Sequence, residues 1–200
     1  RARMALKLAN IKCEIREVRL NNKPKHMLEA SPKGTVPVFI LKDQIIDESI
    51  EIINWAVSKG SLFKDNISDE EILLSEGLIG IFDDKFKHHL DRYKYSTRYE
   101  DVDVAEHRNE CMKILIALEG MLSEDGWDGW FFGEKVNKLD ISILPFIRQF
   151  RIANPEWFDQ QKEIKNVQRL LNNFLESSLF KDVMFNYKVW EEGKEPVYFP

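Results

Sequence analysis

A proline set at the head of an apolar run constrains this chain more than any other feature. In Ser31-Pro-Lys-Gly-Thr-Val-Pro-Val-Phe39, seven residues of turn chemistry, Ser31 to Pro37, lead straight into a short strand-like stretch, Val36 to Leu41. Pro37 has no N–H and cannot donate to a ladder there. A proline in this place marks a bend or a cis bond that frees backbone groups near a surface. Nine residues after Phe39 come Glu48-Ser49, at the head of an amphipathic helix, Ile50 to Val57. Acidic and hydroxyl residues at a helix start are caps in the first instance. The same position also offers free N–H groups to a small anion.

The first sixty residues alternate short helices and strands. A helix to Asn10 is followed by a strand, Ile11 to Val18, then a short helix or turn, Lys23 to Ala30. Val36–Leu41 and Gln44–Asp47 form a hairpin around Lys42-Asp43. The polar, glycine-containing stretch 59–66 reads as a linker. Beyond it the pattern is helical. Ser68 and Glu71 form a capping box, and Ile72, Ile79, Phe82, Phe86, Leu90 and Tyr93 follow on one helical stripe. Val104, Cys111, Leu115, Leu118 and Leu122 mark a second long helix. Asn137 and Asp140 cap a third, apolar almost all round from Ile141 to Phe150 and expected to kink at Pro145. Shorter helices start at Asn154-Pro155 and at Asn166, and the tail from Glu191 to Pro200 is expected to lie over the surface. The division is therefore 1–58, an α/β thioredoxin-like domain; 59–66, a linker; and 67–200, an all-α domain.

The chain opens on Arg1 inside a helical segment. Arg1 and Arg3 oppose the helix dipole in its first turn, and no capping residue precedes them. We expect native sequence upstream, including a first strand lying between Ile11–Val18 and Val36–Leu41. The net charge of −5, with both signs interspersed, argues against a nucleic-acid binder. Nothing in the sequence reads as a membrane span. Cys13 and Cys111, far apart, are expected to be reduced thiols of a cytoplasmic protein.

Thr35-Val36-Pro37-Val38 followed by Glu48-Ser49 resembles the glutathione-binding half of a glutathione S-transferase N-terminal domain. Asn22-Lys23-Pro24 resembles the omega-like, cysteine-type branch. Arg1 to Asn10 resembles that family's first helix. Phe86-Lys-His-His-Leu-Asp-Arg-Tyr-Lys-Tyr95 and Phe146-Ile-Arg-Gln-Phe150 are similar to the second domain of a bacterial subgroup. The resemblance implies glutathione as co-substrate, a homodimer, and a catalytic Cys or hydroxyl ahead of Arg1. It implies glutathione contacts at Lys23, Val36, Pro37, Glu48 and Ser49, and a second-substrate pocket at Phe86, Leu90 and Tyr93. Its Val36 grips the cysteinyl part through backbone N–H and C=O, as an added strand would. Glu48 pairs with the γ-glutamyl ammonium, Ser49 binds the neighbouring carboxylate, and Lys23 meets a ligand carboxylate. The implied activity is transfer or thiol reduction on disulfide, glutathionylated or electrophilic small molecules. The alternative is a non-catalytic binding or regulatory protein on the same fold.

Other candidates read as structural. Cys13 alternates with Ile11 and Ile15 as a core thiol, with no group placed to activate it. No metal is expected: His88 and His89 point about 100° apart on a helix, and the His107/Cys111 pair lacks further ligands.

Overall fold

The computed structural model describes residues 1–59, 63, 67–122 and 129–200. The expected linker falls almost wholly outside these residues. The chain divides into two units, Arg1–Asp65 with Ser178–Pro200, and Asn66–Ser177.

The first unit opens with α1 (Ala2–Leu8), which buries Ala2, Met4, Ala5 and Leu6. The strand expected over Ile11–Val18 is reduced to β1 (Cys13–Glu14) and an isolated bridge from Glu17 to Val189. Next come α2 (Lys25–Ala30), β2 (Phe39–Ile40) and β3 (Ile45–Ile46). β2 and β3 form the expected hairpin, antiparallel in the register Phe39 to Ile46 and Ile40 to Ile45. The Leu41 N–H closes its turn on the Gln44 carbonyl at 2.9 Å. Regular pairing starts only at Phe39, two residues beyond the proline that cannot donate. α3 (Ser49–Ser58) buries Ile52, Ile53 and Ala56 and packs against α1.

The second unit is helical: α4 (Asp69–Ile81), α5 (Lys87–Lys94), α6 (Val104–Glu119), α7 (Lys138–Ala153), α8 (Pro155–Asp159) and α9 (Lys165–Glu176). Ser68 and Glu71 cap α4 reciprocally, as their spacing predicts. Between α4 and α5 the helix widens into a π turn, Phe82–Phe86. That turn fits both phenylalanine rings into the interior, stacked with centroids 4.5 Å apart. Ile79, Phe82, Phe86 and Leu90 are buried along the expected stripe, but Ile72 at its head is 44% exposed. On α6, Cys111, Leu115 and Leu118 are buried while Val104, in the first turn, is exposed. α7 runs through Pro145 to Ala153 and is the most enclosed helix of the unit, with Ile141, Ile143, Leu144 and Ile147 fully buried. Asn137 caps it from the side chain, its Oδ1 accepting from the N–H groups of Leu139 and Asp140. The Asp140 carboxylate accepts from the Asn137 and Phe131 N–H groups, each at 2.9 Å. Glu119, at the end of α6, accepts from the Asn166 and Val167 N–H groups and so caps α9 from another helix.

The tail from Glu191 to Pro200 is exposed, as expected, except at Phe199, but it is also tied down by pairing. α10 (Ser178–Val183) packs on α1, and β4 (Tyr198–Phe199) pairs antiparallel with β1. Cys13 sits opposite Phe199, whose ring is buried. The Ile15 N–H donates to the Val197 carbonyl and the Trp190 N–H to the Glu17 carbonyl, each at 2.8 Å. Residues 178–200, grouped with the helical domain by their pattern, thus complete the first unit. The ladders β1–β4 and β2–β3 remain separate among the described residues.

Burial pushes the Asp140 carboxyl up to about 7, against the pull of the N–H bonds it accepts. The folded chain then holds a proton that the unfolded chain, with a carboxyl near pH ~4, has released. Stability is expected to fall as pH rises through that window. Urea unfolding should show this decline in the wild type and lose it in Asp140→Asn. Asp140→Ala, which strands two buried N–H groups, should cost about 1–3 kcal/mol.

Candidate functional site

The turn that opens at Ser31 is built to meet the head of α3. Ser31 caps the end of α2 through its N–H on the Met27 carbonyl, and its side chain is buried. Its hydroxyl donates to Asp47 at 2.7 Å. Gly34 closes the turn at φ +62°, a conformation that disfavours a side chain. A Cβ there would meet the Leu28 side chain at 3.2 Å and Lys23 Nζ at 3.6 Å, so Lys23 lies folded over the turn. Lys33, at the turn's outer corner, reaches Asp47 at 3.0 Å and Glu48 at 2.8 Å. One hydroxyl and one ammonium thereby tie the loop to the first residues of the helix.

These contacts set the charges. The Glu48 and Asp47 bonds hold the Lys33 ammonium above the usual lysine range. The Ser31 hydroxyl and then Lys33 hold the Asp47 carboxyl below the usual carboxylate range. Glu48 stands at the N-cap of α3 with no side-chain bond to the helix, so its carboxylate turns to Lys33 instead. Ser49 follows as the first helical residue, half-buried. Val36 is 50% exposed, and the Val36–Pro37 peptide bond is cis. The arrangement offers an exposed length of extended backbone, a helix N-terminus with its N–H groups, a carboxylate and two lysines. This is chemistry suited to a small zwitterionic, peptide-like ligand.

The residues expected to touch a second substrate fare differently. Phe86 and Leu90 are buried in the core of the helical unit; the Phe86 ring meets Phe150 at 5.8 Å. Tyr93 is half-buried against Phe150 at 5.3 Å, and burial raises its phenol pKa. Asn137 and Asp140 form the cap their spacing predicts. Neither cysteine is activated. Burial raises the Cys13 thiol and pushes Cys111 up to about 12. Lys33, Asp47 and Ser31 were not singled out as site residues from the sequence. The available signal was a cation in the Pro-Lys-Gly turn and a double acid before a helix, and nothing local joins the two.

Comparison with known proteins bears on the family. Residues 1–61 match the glutathione S-transferase N-terminal domain and residues 101–173 the C-terminal domain. The chain belongs to the glutathione S-transferase family. It is 28% identical over 155 residues to a probable glutathione S-transferase, parA, of Nicotiana tabacum, covering 75% of this chain and 67% of that protein. The tau-class glutathione S-transferase of mango, Mangifera indica, superposes with a TM-score of 0.74 at 21% identity, over 92% of this chain and 86% of that one. A glutathione transferase family member from Pseudomonas fluorescens with two glutathione bound superposes at 0.70 and 20% identity, over 91% and 86%. Family membership carries glutathione-dependent transferase chemistry in general. Among the described residues, no helix is long and apolar enough to cross a membrane.

Lys33 is exposed, so its ion pairs are weak stabilisers. Lys33→Met is expected to leave the unfolding free energy within about 1 kcal/mol of wild type. Ser31→Ala, which removes a buried hydroxyl, should cost about 1 kcal/mol or more. Urea titration of both variants checks this ranking, and a larger loss in Lys33→Met would reverse the account of what holds the loop.

Proposed function

We propose that this transferase binds glutathione on Lys23, Val36, Pro37, Glu48 and Ser49. It would act as a cysteine-type enzyme on disulfides, glutathionyl adducts or small electrophiles. The observation that carries the reading is the head of α3, where a carboxylate, a hydroxyl and free helix N–H groups stand side by side. A γ-glutamyl end presents an ammonium and a carboxylate on one carbon. Glu48 would take the first by exchange with Lys33, and the Ser49 hydroxyl and N–H the second. The Val36 N–H and C=O would pair with the cysteinyl backbone as a strand edge does. Lys23, bent over Gly34, would meet a carboxylate at the other end.

On the resemblance, the nucleophile would lie ahead of Arg1, before the first helix, where the helix dipole favours a thiolate. That thiolate would attack the glutathionyl sulfur of a mixed disulfide. An enzyme–glutathione disulfide forms and the substrate thiolate leaves. A glutathione thiolate then attacks the same sulfur, releasing oxidised glutathione and the free enzyme thiolate. Tyr93, half-buried with its hydroxyl raised by burial, is the candidate contact for the second substrate. The enzyme would work as a homodimer in the cytoplasm. Ile72, Leu73 and Leu74, exposed in succession on α4, supply apolar surface for association.

In calorimetry on the full-length protein, Ser49→Ala and Glu48→Gln are each expected to weaken glutathione binding by about 1–3 kcal/mol. Unchanged affinity in both variants would refute the site. The full-length protein should also reduce small disulfides better than it conjugates aryl halides. After treatment with oxidised glutathione, mass spectrometry should locate the adduct ahead of Arg1. An adduct confined to Cys13 or Cys111 would exclude the cysteine-type mechanism.

A further inference from the structure

His88 and His89 are neighbours on α5, and their sequence positions point them apart. The packing of α5 on α6 brings both to His107. The His89 and His107 ring centroids are 5.0 Å apart, and those of His88 and His107 are 6.0 Å apart. Their Nδ1 atoms, in His89 and His107, lie 2.7 Å from each other. Each of the three residues offers a ring nitrogen, and the three atoms lie within 4.8 Å of one another. His107 does not work with Cys111, as their i, i+4 spacing suggests. Cys111 is buried and its thiol faces the Phe86 carbonyl at 3.8 Å, whereas His107 turns to α5.

We propose that His88, His89 and His107 form a binding site for a single late first-row divalent transition ion on the helical unit. Three imidazoles are borderline-soft nitrogen donors, which suit zinc, nickel, copper or cobalt rather than magnesium or calcium. Metal–nitrogen bonds of about 2.0–2.1 Å in tetrahedral geometry set ligand nitrogens about 3.3 Å apart. His89 and His107 would open by about 0.6 Å from their present contact. His88, the exposed member, would swing in by up to about 1.5 Å, a side-chain rotation. At 2.7 Å, one Nδ1 of the His89/His107 pair carries a hydrogen and the other presents its lone pair. Moving that hydrogen to Nε2 of its own ring frees both Nδ1 atoms for the metal with no proton lost. Arg92, which now bonds His88 Nδ1 at 3.0 Å, would have to release it. Glu110, one turn beyond His107, is the nearby carboxylate whose field offsets Arg92 at His89. The fourth position is left to water, as in sites with three protein ligands.

The test uses metal-free protein without a histidine tag, titrated with Zn²⁺ by calorimetry and with Co²⁺ by visible absorption. One equivalent should bind, with Co²⁺ bands of a four- or five-coordinate ion, and Zn²⁺ should raise the unfolding midpoint by mass action. His89→Gln and His107→Gln should each weaken binding about tenfold or more and abolish that rise, while His26→Gln, the remaining histidine of the four, changes nothing. Should either half-buried variant fail to fold, His88→Gln at the exposed position must show the same loss. Binding that survives all three substitutions, or none at millimolar Zn²⁺, would overturn the site. Glutathione affinity should be unchanged in every variant, so the two assignments stand or fall separately.

Discussion

The buried carboxylate of Asp140 is the interaction on which the helical unit depends. It is fully enclosed, and it holds the start of α7 and the backbone at Phe131 in one grip. α7 in turn touches α4, α5, α8, α9 and the wide turn between α4 and α5. Ten residues on, about 15 Å along the helix axis, Phe150 meets Phe86, Tyr93, Trp157 and Phe158 ring to ring. A helix apolar all round can slide or rotate among equally apolar neighbours. One buried carboxyl bonded to two fixed donors removes that freedom, and the aromatic cluster at the far end inherits the register. The cost is a carboxyl held near neutrality.

The head of α3 works by the opposite rule. Lys33 and Glu48 are exposed, and charge rather than burial arranges them. Lys33 already balances Asp47 and Glu48, so on the proposed reading an incoming ammonium would exchange for one cation instead of meeting a bare acid. The gain from such an exchange would be modest, and discrimination would then rest on the whole zwitterion fitting the helix start together with the Val36 backbone. Ser31, buried beneath, holds Asp47 in place and would do so while Glu48 changed partner.

What was legible in the sequence was local. The hairpin about Lys42-Asp43, the capping boxes at Ser68/Glu71 and Asn137/Asp140, and the Asn154-Pro155 start each depend on residues within four positions of one another. Glu48 and Ser49 were legible because a helix start has few acceptable residues. The rest is long-range. Lys33 and Asp47 are fourteen positions apart in sequence, and His89 and His107 eighteen; no period links them. The π turn at Phe82–Phe86 inserts a residue without breaking the apolar stripe, so the stripe reads as an unbroken helix. Phe86 and Leu90 show the same ambiguity from another side: an apolar face lining a pocket and one filling a core have the same periodicity. β4 left almost no trace, because two aromatic residues in a polar tail are equally at home on a surface.

The return of residues 178–200 to the first unit separates the order of synthesis from the order of completion. A ribosome releases β1 early, but its partner β4 follows 184 positions later (Glu14 opposite Tyr198, 198 − 14), and the helix that packs on α1 only shortly before it. At 5–20 residues per second the wait is about 10–40 s. Throughout it, the strand edge at Cys13–Glu14 stands open to solvent. The helical unit is contiguous from 66 to 177 and is fully emitted before the first unit can close. The nascent chain therefore completes its units from the middle outward, and the first unit stays unsealed until β4 has emerged.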